Sequence, residues 1–87
     1  MKISSDKKFA FFERSLIDGK SWIEILNLTK ISSVQEYRIC RKIYSNDPGK
    51  RQGYKVYTEG GSPEGFWIND AEFNYLFSNG FFGNYKD

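Results

Sequence analysis

Residues Gly19 to Tyr44, GKSWIEILNLTKISSVQEYRICRKIY, are the stretch from which the fold is predicted. Apolar side chains recur there at intervals of three and four residues, which is typical of amphipathic helices. Ser21 can cap a helix over Trp22–Leu28, and a second helix is predicted from residue 32 or 33 to about Tyr44. Because helices this short are unstable alone, the two must pack on each other and on a third element.

A further helix is predicted on the N-terminal side of this stretch, and a β-hairpin on its C-terminal side. The apolar residues between positions 7 and 17 or 18 share one helical face, and Gly19 is placed to end that helix. Residues that favour β-structure alternate over Tyr54–Thr58 and return over Phe66–Ile68. A glycine-rich turn region at 59–65 connects the two predicted strands.

The last predicted helix has several local signals. Asn69 can cap it, and Glu72 is three residues further on, as a capping box requires. We expect the helix to end near residue 77 or 78, because Gly80 follows just past that point. The aromatic tail over residues 79–87 either folds back onto the domain or joins a partner subunit.

The run Glu24–Ser32, EILNLTKIS, resembles the first helix and turn of a helix-turn-helix, with matches at its first two and last two residues. With a hairpin that follows the pair Gly53-Tyr54, the chain is similar to winged helix-turn-helix proteins of phages and mobile elements. The resemblance implies an α+β fold, a winged helix with three helices, a β-hairpin wing and a short C-terminal helix. The length of 87 residues predicts a single winged-helix-like domain over residues 1–87, with a core at about 5–78.

The alternative fold is a small SH3-like barrel. It requires strands over Trp22–Lys30 and Glu36–Tyr44, where helices are otherwise predicted. The second of these segments alternates poorly between polar and apolar residues, which favours the winged helix.

The net charge of +2 conceals a basic middle and an acidic end. Residues 30–55 contain seven Lys and Arg against two acidic residues, a net +5, whereas residues 56–87 carry a net −4. Such clustering presents one electropositive face, as nucleic-acid-binding proteins do.

We therefore expect a nucleic-acid-binding regulator of phage or mobile-element type that reads DNA through its third helix, with RNA as the second option. Amide and long cationic side chains on that helix suit base edges and phosphates. The predicted interface comprises Lys30, Gln35, Arg38, Arg41, Lys42, Lys50, Arg51 and Lys55.

A second hypothesis is a small effector that binds a host protein, or RNA, through an aromatic and charged surface. Aromatic residues make up 18% of the chain, which is more than a core of this size hides. The predicted partner or homodimer surface comprises Phe77, Phe81, Phe82 and Tyr85.

Trp67 has two interpretations. An indole on a strand can be a stacking platform for a base, although it more often closes a hydrophobic core. Aromatic residues interleaved with Lys55 would also suit single-stranded RNA.

Composition argues against several functions. The chain has no histidine and one cysteine, Cys40, so we expect no His-based catalysis, no metal site and no cofactor, and therefore no enzyme. It shows no apolar run of membrane-spanning length and no secretory signal. Together with the lone cysteine, this predicts a cytoplasmic protein, in a bacterial host cell if it is phage-encoded.

Overall fold

Strands dominate the part of the chain that the structure describes, residues 1–39 and 50–83, excepting the side chains of residues 39 and 50. In this computed structural model they form two three-stranded antiparallel sheets. Contacts between Cα atoms divide the chain into two units, Met1–Lys30 and Ile31–Asp87, with one sheet in each.

The first unit is a sheet with the strand order β1–β2–β3. Its strands are β1 Lys2–Ile3, β2 Phe9–Ser15 and β3 Ser21–Asn27, and a 3-10 turn follows over Leu28–Lys30. Along β2, Ala10 and Phe12 are buried whereas the residues on either side are more exposed. This alternation is the period of two that places successive side chains on opposite faces of a sheet.

A tight turn joins β2 to β3. The Leu16 N–H donates to the Lys20 carbonyl oxygen at 2.8 Å, and the Gly19 N–H donates to the Leu16 carbonyl oxygen at 3.0 Å. Gly19 adopts a φ of 89°, which a residue with a β-carbon rarely adopts. The prediction that Gly19 ends a helix is therefore wrong, because its positive φ closes a hairpin.

The second unit is a sheet with the strand order β4–β5–β6 and one α-helix. The elements are β4 Ile31–Ile39, β5 Lys50–Thr58, β6 Phe66–Ile68 and α1 Asp70–Ser78. The register aligns Val34, Val56 and Phe66 in one row, and Glu36, Tyr54 and Ile68 in another. Since opposed residues of antiparallel strands share a face, these rows define the inner face of the sheet.

Helix α1 covers the inner face through aromatic stacking. The ring of Phe73 lies 3.7 Å from that of Tyr54, with 9° between their planes. Beyond the helix, the ring of Phe82 lies 5.4 Å from that of Phe73. Phe73, Phe82 and Leu76 are buried, so the hydrophobic core of this unit lies between α1 and the inner face.

The predicted winged helix is wrong. Strands β2, β3 and β4 occupy the segments where the three helices were expected, although residues 40–44 of the third lie outside the described residues. The only helix of seven or more residues in the described ranges is α1. Apolar residues three and four apart occur by coincidence in these strands, and pairing between strands decides the structure instead.

The segments that the SH3-like alternative required as strands are strands in part. Trp22–Lys30 is covered by β3 as far as Asn27, and Glu36–Tyr44 is covered by β4 as far as residue 39, after which the residues lie outside the described ranges. These strands belong to two three-stranded sheets, one in each unit.

The predicted β-hairpin and the last predicted helix are confirmed. β5 and β6 form the expected antiparallel hairpin across residues 59–65. Asn69 caps α1: its side chain accepts from the Glu72 N–H at 2.8 Å, and the Glu72 carboxylate accepts from the Asn69 N–H at 2.9 Å. Gly80 follows the helix with a φ of 79°.

Replacement of the cap tests how far α1 supports this unit. Asn69→Ala removes the side-chain acceptor of the Glu72 N–H and should lower the free energy of unfolding by about 1 kcal/mol. Thermal unfolding followed by circular dichroism should show a melting temperature about 4–8 °C lower. Asn74→Ala, an exposed position within the same helix, is the matched control and should leave the melting temperature unchanged or slightly raised. Equal effects of the two substitutions would contradict the capping role.

Candidate nucleic-acid interface

The outer face of the β4–β5–β6 sheet carries aromatic and polar side chains. Gln35 lies opposite Lys55, and Lys55 lies opposite Trp67, so one row crosses all three strands. Residues two positions along β4 and β5 point the same way, because side chains alternate along a strand. We call the resulting surface the aromatic face; it comprises Ser33, Gln35, Tyr37, Lys55, Tyr57 and Trp67.

Trp67 is fixed in orientation although it is 39% exposed. Its indole N–H donates to the Gln52 carbonyl oxygen at 2.6 Å. The ring lies over Gly53, where a β-carbon would be 2.8 Å from Nε1 and would collide with the Ile68 carbonyl oxygen. Gly53 also has a φ of 96°, so glycine is required there both for backbone conformation and for space.

A cation lies beside a second exposed ring. The Lys55 Nζ is 5.1 Å from the centre of the Tyr37 ring, within the range of a cation–π interaction, and Tyr37 is 37% exposed. Lys55 forms no ion pair with any residue that the structure describes. Its charge is therefore not cancelled by a neighbouring carboxylate.

Tyr57 completes the aromatic face on the other side of Lys55. Its ring covers Gly65, where a β-carbon would lie 2.8 Å from Cε1. The residue is half-buried. Three rings on three adjacent strands thus surround one lysine and the amide of Gln35.

Two of the predicted phosphate contacts are instead bound to carboxylates. Arg38 Nη2 lies 2.8 Å from Glu36 Oε2, and Arg51 Nη1 lies 3.5 Å from Glu36 Oε1. Arg51 Nη2 also lies 3.4 Å from Asp70 Oδ2, at the start of α1. The Arg38 guanidinium is the main cause that holds the pKa of Glu36 below its ordinary value of 4.5. The formal +5 of residues 30–55 therefore overstates the charge available to a ligand.

The structure brings together only part of the predicted interface. Gln35 and Lys55 share the aromatic face, whereas Arg38 and Arg51 belong to the carboxylate network. Lys30 is exposed in the 3-10 turn of the first unit. Three remaining predictions receive no side-chain description: Arg41 and Lys42 lie outside the described residues, and only the backbone of Lys50 is described.

The predicted aromatic partner surface is also divided. Phe77 is exposed on α1 and Phe81 is half-buried, while Phe82 is buried against Phe73 and is not available to a partner. Tyr85 lies outside the described residues. Trp67 is 39% exposed, which does not fit the interpretation that it closes a hydrophobic core.

Tyr37 is not among the predicted site residues, because its segment is predicted as a helix instead of the strand β4. The signal that could have found it is alternation: Ser33, Gln35 and Tyr37 are two apart on β4. Lys55 and Tyr57 repeat that spacing on β5. A period of two would have placed these side chains on one face of a sheet.

The described ranges contain no group of three or more side chains that could hold a metal ion. No helix in residues 1–39 and 50–83 has the length and apolar character needed to cross a membrane. Comparisons with protein-family models, curated proteins and solved structures find no match. They provide no relative among helix-turn-helix proteins and lend no support to DNA binding or a phage origin.

Gly53→Ala tests the seating of Trp67. The change should destabilise the protein by more than about 2 kcal/mol, since it combines a disfavoured φ with a clash. In a Trp22→Phe background, Trp67 is the only indole of the chain and its fluorescence reports the displaced ring. Gly60→Ala is the matched control, because residue 60 has a φ of 72° with nothing within 4 Å of its β-carbon position. If Gly60→Ala were as costly and changed the spectrum equally, the contact between Gly53 and Trp67 would not matter.

The carboxylate network predicts a specific dependence on pH. The pKa of Glu36 is lower in the folded state than its ordinary value of 4.5. The stability that the Glu36 carboxylate contributes is therefore complete above pH 4.5 and is lost as the pH falls through the pKa of the folded state. The difference in unfolding free energy between wild type and Glu36→Gln should therefore be constant near neutral pH and shrink below about pH 4.5. Urea unfolding across this range measures it. Glu59→Gln, in the hairpin loop, should show no such difference; a flat difference for Glu36→Gln would contradict the network.

Proposed function

We propose that the chain binds single-stranded nucleic acid on the aromatic face. The observation that carries the proposal is the row across the sheet in which Trp67, held over Gly53, lies opposite Lys55. Exposed rings beside a cation are the elements with which proteins bind unpaired bases and the phosphates between them.

The preorganisation of the aromatic face supports stacking. A base gains most from a ring that is already in place, because no side-chain entropy is lost on binding. Trp67 meets this condition through its hydrogen bond to Gln52, and Tyr57 through its contact with Gly65. Each base stacked on such a ring contributes about 1–3 kcal/mol.

The electrostatics of the aromatic face support an anionic ligand. The six residues of the aromatic face, all of which the structure describes, include one cation and no carboxylate. Gln35, directly opposite Lys55, adds an amide that can both donate to and accept from a base edge. Lys55 next to two rings suits the alternation of phosphate and base along a single strand.

A single strand fits this surface better than a duplex. Reading a duplex in its major groove needs a protruding helix or ribbon, and the expected recognition helix is replaced by β4 within a sheet. The bases of a duplex are stacked on each other and cannot stack on Trp67 or Tyr37. Unpaired bases can be splayed onto a flat sheet face. A cytoplasmic location, where RNA is abundant, is part of this proposal.

Anisotropy of labelled oligonucleotides tests the proposal. Oligo(U) and oligo(dT) should bind more tightly than a duplex of equal length, with an affinity that falls between about 50 mM and about 200 mM salt. Trp67→Ala should weaken binding about 5- to 150-fold, which corresponds to the loss of one stacked base. Lys55→Ala should weaken binding and reduce the salt dependence, because one phosphate contact is lost.

Matched controls separate the aromatic face from general effects of substitution. Tyr75→Ala removes an exposed ring from α1, and Lys20→Ala removes an exposed cation from the first unit. Both should bind as wild type does. The proposal fails if no single strand binds at low salt, or if the controls lose as much affinity as Trp67→Ala and Lys55→Ala.

A further inference from the structure

Exposed apolar side chains are concentrated in the first unit. Within its thirty residues, all of which the structure describes, seven large apolar side chains are exposed: Met1, Phe9, Leu16, Ile17, Trp22, Ile23 and Ile25. Three of them lie on β3, where Ile23 is 66% and Ile25 57% exposed. Ile23 and Ile25 are two residues apart on the strand and share one face, and exposed apolar side chains grouped in this way favour an interaction site.

β3 is an edge strand whose outer side is unprotected. Within residues 1–39 and 50–83, β3 is the last strand of the order β1–β2–β3 and pairs with β2 alone. All seven of its residues pair with β2 without a bulge. Natural edge strands are usually blocked by proline, lysine or a bulge, and β3 has none of these.

The single charge on β3 does not block its edge. Glu24 Oε1 lies 3.1 Å from Arg14 Nε, on the neighbouring strand β2. The carboxylate is thus directed toward a partner within the unit and is partly neutralised.

The pattern of polar and apolar residues along β3 is the same when it is read from either end. Its sequence SWIEILN places Ser21 and Asn27 at the ends, two apolar residues inside each end, and Glu24 at the centre. A strand with this pattern is self-complementary in an antiparallel pair with a second copy of itself. Pairing centred on Glu24 sets Ile23 opposite Ile25 of the second copy, so apolar residues meet apolar residues along the strand.

We propose that the chain forms a two-fold symmetric homodimer by antiparallel pairing of β3 with β3 of a second copy. The two first units then share one six-stranded sheet. Unpaired N–H and C=O groups of the edge gain hydrogen bonds, and the exposed isoleucines are covered. The second copy is chosen over a foreign strand because the palindromic pattern complements itself.

This dimer surface differs from the one predicted at the C-terminus, which includes the buried Phe82. It is also independent of nucleic-acid binding. If both proposals hold, each dimer carries two aromatic faces, and a strand long enough to reach both binds with an avidity that neither face provides alone.

Sedimentation velocity over a range of concentrations tests the dimer. Wild type should show a species of twice the chain mass of 10.2 kDa. Ile23→Lys and Ile25→Lys each set two lysines opposite isoleucines and bring those two lysines together as one diagonal like-charge pair, and each should raise the dissociation constant about tenfold or more. Ile17→Lys is the matched control, because Ile17 is fully exposed in the turn beyond the strand and should leave dimerisation unchanged.

Three results would refute the proposed dimer. A wild-type monomer up to about 1 mM, a weak limit for specific association, would refute the proposal. So would a dimer that Ile23→Lys and Ile25→Lys leave intact, or one that Ile17→Lys weakens equally. Circular dichroism of each variant ensures that loss of the dimer is not loss of folding.

Disulfide trapping tests the register. In a Cys40→Ser background, Glu24→Cys places a thiol on the two-fold axis, where the two Cα atoms are about 4.5–5.5 Å apart and within disulfide range. Oxidised glutathione should convert it to a covalent dimer that dithiothreitol reverses. Ile17→Cys should remain a monomer on denaturing gels. Faster crosslinking by Ile17→Cys than by Glu24→Cys would overturn the proposed pairing.

Discussion

The register of β5 between its two neighbours is the constraint on which the second unit depends. Tyr54 and Val56 point inward in this register, and Tyr54 stacks on Phe73 of α1 at 3.7 Å. Because the side-chain period of a strand is two, Lys55 must then point outward, opposite Trp67. A slip of one residue would bury the lysine and expose the core tyrosine. The same stacking that holds the helix therefore decides the chemistry of the outer surface.

The two faces of this sheet divide the charges of the chain. On the inner side, Glu36 lies between Arg38 and Arg51, and Asp70 brings the start of α1 to the same arginine. These ion pairs are exposed and so contribute modestly to stability, but they occupy cations that would otherwise be available to phosphate. On the outer side, Lys55 has a ring for a neighbour instead of a carboxylate. The position of each basic residue within the sheet therefore matters more for the charge available to a ligand than the number of basic residues does.

The hairpin and the last helix could be predicted because their signals are local. The capping box of Asn69 and Glu72 and the glycine after the helix are read within a few residues. The first 39 residues could not, because apolar residues spaced as in a helix also occur on paired strands, and the pairing of Phe12 with Glu24 is not visible locally. For the site, Gln35 was predicted on a helix where the chain forms β4, whereas Lys55 was predicted on the strand that it occupies. The loss of Arg38 and Arg51 to carboxylates depends on contacts between strands and with α1, which a charge count does not contain.

An NMR titration tests the central claim most directly, because it locates a ligand without any substitution. The indole N–H of Trp67 gives its own signal, and the hydrogen bond to Gln52 fixes its environment. On addition of oligo(U), this signal and the amides around Tyr37 and Lys55 should shift with a common affinity, while those of α1 remain in place. Shifts confined to other parts of the chain, with the Trp67 indole unchanged, would contradict the account.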